Sequence, residues 1–443
     1  MKISFHREIL LTLLVLVTLS ICLQLDFHSS NSLAYAVRAQ VNGSNPVVND
    51  PNLTVNLHYK VLWKPTSMIF LGPDDILVTQ KNEGTVERII NGTKLIEPLI
   101  DVPVAKKDER GLLSIVTSQD QTSNKTHVFL YYTEKGPAKE EVLGNRIYKY
   151  ELNDNGTKLL TPKLLLDLPG KPGPGHNGGV MKIGPDNNIY VGIGDVKGTN
   201  YNQSQFYNTQ AQNFQEGKEA DGRAGILRIT QDGEPVGNGI LGNRYPLNLY
   251  YGYGIRNSFG LDFDPLTGNL WDTENGPAFG DEINLVEPGF NSGWKNIHGV
   301  STLNTTLDKA ETASINPKGL VDFNNKGKYS SPEFTWEKTV APTAIEFVNS
   351  DELGLKYEND ILVADTKLGN IYNFNLSEYR DSLSLDGPLT DKVANSTDEL
   401  SNVIFARGFG AITDLEIGPD GYLYVLVYDI RDGRIYRIQP TNS

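Results

Sequence analysis

The sequence predicts an all-β protein, a six-bladed β-propeller with long loop insertions on one face. Three observations carry this: a hairpin pattern that returns along the chain, a copy spacing suited to four-stranded units, and no long amphipathic helical period. The clearest copies are "MIFLGPDDILVTQKNEGTVERI" from Met68, "VMKIGPDNNIYVGIGDVKG" from Val180, "GLDFDPLTGNLWDTENG" from Gly260 and "DLEIGPDGYLYVLVYDIRDGRIYRI" from Asp414. Each sets a short apolar alternation before a Pro-Asp or Asp-Pro turn and a second one after it, which is how an antiparallel hairpin reads. Looser copies start at Leu112 and Ala344, making six units. Several units end on similar strands: "GTVERI", "NRIYKY", "AGILRI", "GNIYNF" and "GRIYRI". The last of these is expected to pair with the N-terminal "NLTVNLHYKVLW", closing the ring and leaving only short edges.

One propeller domain is expected over residues 55–440, preceded by a linker over 37–54 and a targeting segment over 1–36. Lys2 and Arg7 precede an apolar run from Ile9 to Leu25, and Ala34-Tyr35-Ala36 offers a small-x-small cleavage site. That pattern is a secretory signal peptide, with an uncleaved membrane anchor as the alternative. Either places the body of the chain outside the cytoplasm, secreted or at the cell surface. The single cysteine is Cys22, inside this segment, so the rest of the chain has no disulfide to draw on. Sequons such as Asn91, Asn155 and Asn375 fall in loop-like stretches and are expected glycosylation acceptors. Insertions at Gly198–Gly222, His298–Ser331 and Leu376–Asn402 are expected over the binding face.

A net charge of −14 excludes a nucleic-acid partner, which needs a basic face. It also leaves carboxylates for a hard cation such as calcium. No zinc spacing, P-loop, GxSxG elbow or EF-hand loop occurs, and no glycine run leads into a helical pattern of the dinucleotide-binding kind.

Two stretches stand out chemically. In "GPGHNGGV", His176 is bracketed by glycines that let the backbone approach a ligand, and an imidazole titrates near neutrality. The plainer alternative is a histidine that only hydrogen-bonds its loop. In "YGIRNSFGLDF" and "TENGPAFGDEINLVEPGFNSGW", Arg256 and Asn257 precede a repeat strand, and Gly276-Pro277 form a turn near Asp281 and Glu282. Oxygen-rich turns of this kind suit a divalent ion, although paired acids on a turn are more often simply solvated.

"HNGGVMKIGPDNNIYVGIGD", "GIRNSFGLDFDPLTGNLWDTENGPAFGDEIN" and "NSGW" resemble the soluble glucose/sorbosone dehydrogenase family, the aldose sugar dehydrogenases that use pyrroloquinoline quinone. "ERGLL", "KTVAPTAIEF", "DILVADTKLGNIYNF" and "ITDLEIGPDGYLYVL" follow in the family's order, so the resemblance spans nearly the whole chain after residue 55. It implies an extracytoplasmic oxidation of aldoses at the anomeric carbon, with hydride moving to the quinone and then electrons to an external acceptor. It implies His176 as catalytic base and Arg256 as the cation beside the quinone carbonyls. Glu109, Asn257, Lys367, Thr339 and Arg407 fall to the cofactor site, and Asp281 to the sugar. Gly276, Pro277 and Glu282 fall to the calcium.

There are departures from the family pattern. Glu109 stands where a glutamine is usual, and Val196 where a polar cofactor contact is common. Ala411 and Thr413 stand where two arginines precede the position of Asp414. Arg110, Arg407 and Lys338 are the cations expected to offset that loss. Two other readings remain: a secreted or cell-surface propeller that binds a glycan or protein without redox chemistry, and a calcium-dependent lactonase-like hydrolase, which the spacing of acids does not favour.

Overall fold

The structure, a computed structural model, describes residues 45–196, 208–300 and 319–442. The predicted targeting segment with Cys22, residues 37–44 of the linker, and residues 198–207 and 301–318 of two insertions lie outside the described residues. The described chain is an all-β propeller. Its only helical pieces are short 3-10 turns such as Gln210–Gln212 and Gly387–Asp391. Among the described residues no helix is long and apolar enough to cross a membrane.

The described strands fall into six sheets. Each is led by an inner strand: Pro65–Gly72, Leu112–Asp120, Met181–Ile183, Ser258–Phe263, Pro342–Phe347 and Ile412–Ile417. Each inner strand touches the next in chain order, and Ile412–Ile417 touches Pro65–Gly72, so the inner strands form a closed ring. The Gly-Pro-Asp motifs turn the chain between the first and second strands of their sheets, as their composition predicts. Asn187 (φ 61°) and Gly421 (φ 77°) occupy the left-handed position of equivalent turns, where asparagine and glycine meet the least steric cost. Gly184 N–H bonds Asn188 O, and Gly418 N–H bonds Tyr422 O, both at 2.9 Å.

The strand Leu53–Leu62 pairs antiparallel with Gly433–Pro440, with Val55 opposite Ile438. The first long described strand and the last strand therefore share one sheet, as expected. Val47–Val48, within the stretch expected to be a linker, pairs with Ala406 and Arg407 in the preceding sheet. Segments of two insertions join sheet edges rather than lying over a face. Val393–Ala394 adds a parallel strand outside Phe334–Lys338, and Leu383, Leu389 and Leu400 are buried against Trp336 and Phe374. Lys328–Tyr329 adds a parallel strand outside Phe290–Asn291, which itself runs parallel beside Tyr250–Tyr253. These segments thus thicken the outer edges of two sheets, because their apolar residues find a core to join.

Near the axis, neighbouring sheets are pinned by side chains that accept a backbone N–H from the next inner strand. Asp262 accepts from Phe347 (2.7 Å), Glu346 from Ile417 (3.1 Å), Asp414 from Met68 (2.7 Å) and Ser114 from Met181 (3.2 Å). Lys182 sits among these acids, its Nζ 2.9 Å from Glu346, 3.4 Å from Asp262 and 3.8 Å from Glu416. Groups that line so narrow a channel must find partners inside it.

Candidate functional site

The predicted site residues collect at one mouth of the ring. Glu109, His176, Arg256 with Asn257, Thr339 and Arg407 all lie just before an inner strand. Gly276 and Pro277, and Lys367, lie just after the second strand of a sheet, as does Asp195. The Gly-Pro-Asp turns therefore occupy the opposite mouth. Hairpin geometry and the closed ring of inner strands together bring in residues that are far apart in the chain.

His176 adopts a left-handed conformation (φ 56°) and keeps its side chain 15% exposed. Its Nδ1 lies 2.7 Å from Asp195 Oδ1, and Trp294 Nε1–H donates to Asp195 Oδ2 at 3.0 Å. Burial works to raise the Asp195 pKa, but His176, Arg256 and Trp294 outweigh it and bring it down to about 2. A charged carboxylate can only accept, so Nδ1 is the nitrogen that donates, which leaves Nε2 as the acceptor of the neutral ring.

Glu109 anchors this loop. Its Oε2 accepts the His176 backbone N–H at 2.6 Å and Asn257 Nδ2–H at 3.2 Å, while Asn257 Oδ1 accepts Gly178 N–H at 3.1 Å. One carboxylate oxygen thus ties the loops of two sheets together. Lys81, which sequence reasoning missed, donates to Asp108 O at 2.5 Å; burial lowers its pKa to about 8, and the nearby Glu109 pulls the other way. A lysine cation beside Glu109 offsets part of the negative charge that departs from the family pattern.

Arg256 is held by its own neighbours. Its N–H donates to Glu274 Oε1 at 2.6 Å, its Nη1 to Asn275 O at 2.8 Å, and its guanidinium stands 5.4 Å from the Trp294 ring centre. Its Nε is buried and makes no hydrogen bond. An unsatisfied buried donor on a cation is costly, and an anionic ligand would satisfy it. Lys367 Nζ donates to Thr339 O at 2.8 Å and to Thr339 Oγ1 at 2.5 Å.

Asp281 departs from its expected role at the sugar. It is 1% exposed; Oδ1 accepts Gly276 N–H at 2.7 Å, and Oδ2 accepts Val340 and Ala341 N–H at 2.6 and 2.7 Å. Burial raises its pKa, partly offset by those three donors and Lys367. With both oxygens committed to backbone, Asp281 positions the Gly276 turn against the Val340 loop.

Glu282 enters a buried cluster with Glu274 and His298, their candidate ligand atoms all within 4.8 Å of one another. His298 Nδ1 is 3.5 Å from Glu282 Oε1 and 3.8 Å from Glu274 Oε1. Asp272, two residues before Glu274 on the same strand face, is fully buried, with Asn284 and Ser258 as its polar neighbours. Burial raises Asp272 to about 7 and Glu282 to about 8, and it pushes Glu274 well up, with repulsion from Glu282 and Asp272 adding to it. Two carboxylates and an imidazole this close form a donor set for a divalent ion. A Cβ on Gly276 would lie 3.0 Å from His298 Nε2 and would collide with Phe279 O, so only glycine lets this turn lie against the imidazole. Glu274 and His298 were not singled out from the sequence.

The cations expected to replace the missing arginines are placed otherwise. Arg110 Nη2 donates to Gly170 O at 2.6 Å and Gly173 O at 2.9 Å, steadying the loop that carries His176. Arg407 is exposed and pairs across the strand with Asn370 and Val47, and Lys338 is exposed opposite Phe279. Val196 is buried, and Thr413 Oγ1 donates to Pro65 O at 3.2 Å.

Fold and mouth together define a propeller with an oriented imidazole, an adjacent guanidinium and a buried acidic cluster. The sequence profile of the glucose/sorbosone dehydrogenase family matches residues 62–437, and the chain belongs to that family. It is 26% identical over 387 residues to an aldose sugar dehydrogenase of Escherichia coli, spanning 85% of this chain and 90% of that protein. It is 31% identical over 263 residues to quinoprotein glucose dehydrogenase B of Acinetobacter calcoaceticus, spanning 55% of this chain and 51% of that one. Its fold matches the solved structure of the PQQ-bound form of aldose sugar dehydrogenase from Streptomyces coelicolor, with a TM-score of 0.60 at 22% identity, over 89% of this chain and 99% of that one.

Proposed function

We propose that the protein is an extracytoplasmic quinoprotein that oxidises aldose sugars at the anomeric carbon, with pyrroloquinoline quinone as cofactor, and that its six sheets are six blades. The observation that carries this reading is His176, oriented by Asp195, beside Arg256 with its unsatisfied buried Nε. The family and the quinoprotein among the relatives support it.

When bound, the quinone supplies a two-electron acceptor. His176 Nε2 takes the proton of the sugar's C1 hydroxyl, and charged Asp195 stabilises the resulting imidazolium through Nδ1–H. Arg256 stabilises negative charge that develops on oxygen beside it. Lys367 and Thr339 offer an ammonium and a hydroxyl to the cofactor's carboxylates, and Asn257 holds the His176 loop. Glu274, Glu282 and His298 would hold a divalent cation, whose charge would offset the buried acids beneath the Gly276 turn; the calcium that the resemblance implies falls to Gly276, Pro277 and Glu282, of which this cluster contains Glu282. An external acceptor then takes the electrons. The apolar run after Arg7 and the lack of cysteine beyond Cys22 support an extracytoplasmic location.

Adding pyrroloquinoline quinone and calcium to the purified protein is expected to give a quinone absorption band and dye-linked aldose oxidation. His176→Ala is expected to abolish turnover at unchanged cofactor affinity. No bound quinone at micromolar concentration would replace this reading with a secreted or cell-surface propeller that binds a glycan or protein, which Ala411 and Thr413 in the last repeat favour.

A further inference from the structure

We propose that Trp294 is a positioning residue that ties the Asp195–His176 pair to Arg256, so that base and cation keep one fixed relation. The inference rests on the reading of His176 as the base.

Three contacts converge on this indole. Its Nε1–H donates to Asp195 Oδ2 at 3.0 Å, while Oδ1 of the same carboxylate faces His176 Nδ1 at 2.7 Å. The Arg256 guanidinium stands 5.4 Å from the ring centre. On a third side the ring meets His298 edge-on, with centres 5.7 Å apart. The side chain is fully buried. Its backbone is fixed separately, with N–H donating to Gly254 O at 2.9 Å and the carbonyl accepting Asn213 Nδ2–H at 2.8 Å.

A carboxylate bonded at one oxygen alone can turn about its Cβ–Cγ bond and carry its partner with it. A donor on the second oxygen removes that freedom, and with it the freedom of the imidazole plane. The indole face does the same for the guanidinium, which prefers to lie over an aromatic ring. Trp294 thus has two separable functions. Phenylalanine keeps the face and drops the donor, whereas leucine drops both.

The test starts with apoprotein labelled with 15N in histidine, where the imidazole shifts report which nitrogen carries the proton. Trp294→Phe is expected to lower the share of His176 protonated at Nδ1. With cofactor loaded, it should cut kcat about tenfold while the sugar KM and cofactor affinity change less than about twofold. Trp294→Leu should weaken cofactor binding as well. Trp294→Phe combined with Asp195→Asn should be no slower than Asp195→Asn alone, because both act through one contact. In Asp195→Ala the Trp294 indole N–H should exchange faster with solvent, an arm that works even if the Trp294 variants do not fold. Unchanged histidine shifts in Trp294→Phe, losses that multiply with Asp195→Asn, or unchanged indole exchange in Asp195→Ala would each overturn the proposal. The spectroscopic arms need no quinone, so failure of the quinoprotein reading would show separately, as altered shifts in a protein that binds no cofactor.

Discussion

His176 enters one strand of a hairpin and Asp195 leaves the other, and their side chains meet at 2.7 Å. The backbone that pairs Met181 with Val191 is therefore also what brings His176 and Asp195 together. Asp195→Asn keeps the shape but can present an N–H to Nδ1, which favours the wrong tautomer. A fall in kcat of about a thousandfold is expected, with cofactor affinity nearly unchanged. Dye-linked turnover alongside a quinone absorbance titration checks it.

Arg256→Ala removes the guanidinium whose Nε awaits a partner. Charge-assisted bonds contribute about 1.5–3 kcal/mol, so cofactor affinity should fall roughly ten- to a hundredfold, and turnover should fall as well. Arg256→Lys should restore only part of this, since an ammonium cannot reproduce the planar fork.

Glu109→Gln is expected to tighten binding of the anionic cofactor. A glutamine oxygen can still accept from His176 N–H and Asn257, so the loop should hold while one negative charge leaves the mouth. The predicted gain is several-fold at low salt and smaller at high salt, with a melting temperature within about 2 °C of the parent.

Much of this was legible in the sequence, for definite reasons. The hairpins announced themselves because Gly-Pro-Asp turns admit few conformations and short apolar strands flank them on both sides. "NLTVNLHYKVLW" could be read as the closing strand because its alternation matches "GRIYRI". The loops holding His176, Arg256 and Lys367 stood out by their glycines and motif neighbours. Asp195, Trp294, Glu274 and His298 did not, since each matters only through a partner that the fold delivers from another loop. Nor could the sequence show that Arg110 turns its guanidinium to the carbonyls of Gly170 and Gly173, on the loop that carries His176.

The buried acids predict a pH dependence. In the folded chain Asp272 and Asp414 stand at about 7, and Glu282 and Glu416 at about 8, against roughly 4 when unfolded. Folding therefore takes up protons between those limits. The stability this confers is complete below about pH 4 and lost as pH rises through 7–8. Metal-free protein should melt lower at pH 8 than at pH 5.5. A divalent ion should raise the melting temperature more at pH 8, and Glu282→Gln should remove that metal-dependent part. An equal response to metal at both pH values would contradict the cluster as its site.

Lys182→Met should cost about 3–5 kcal/mol, because Glu346, Asp262 and Glu416 would then face one another without their cation. Denaturant melts would show it, and Lys182→Arg should recover part of the loss.

Pairing Leu53–Leu62 with Gly433–Pro440 has a consequence for how the molecule is made. A ribosome releases the first of these strands hundreds of residues before the second, so the early strand must wait with its backbone donors unsealed. Until the final stretch emerges, the sheets form an open arc that nothing latches. Losing even the last strand would leave that latch undone and expose the edge to neighbouring chains.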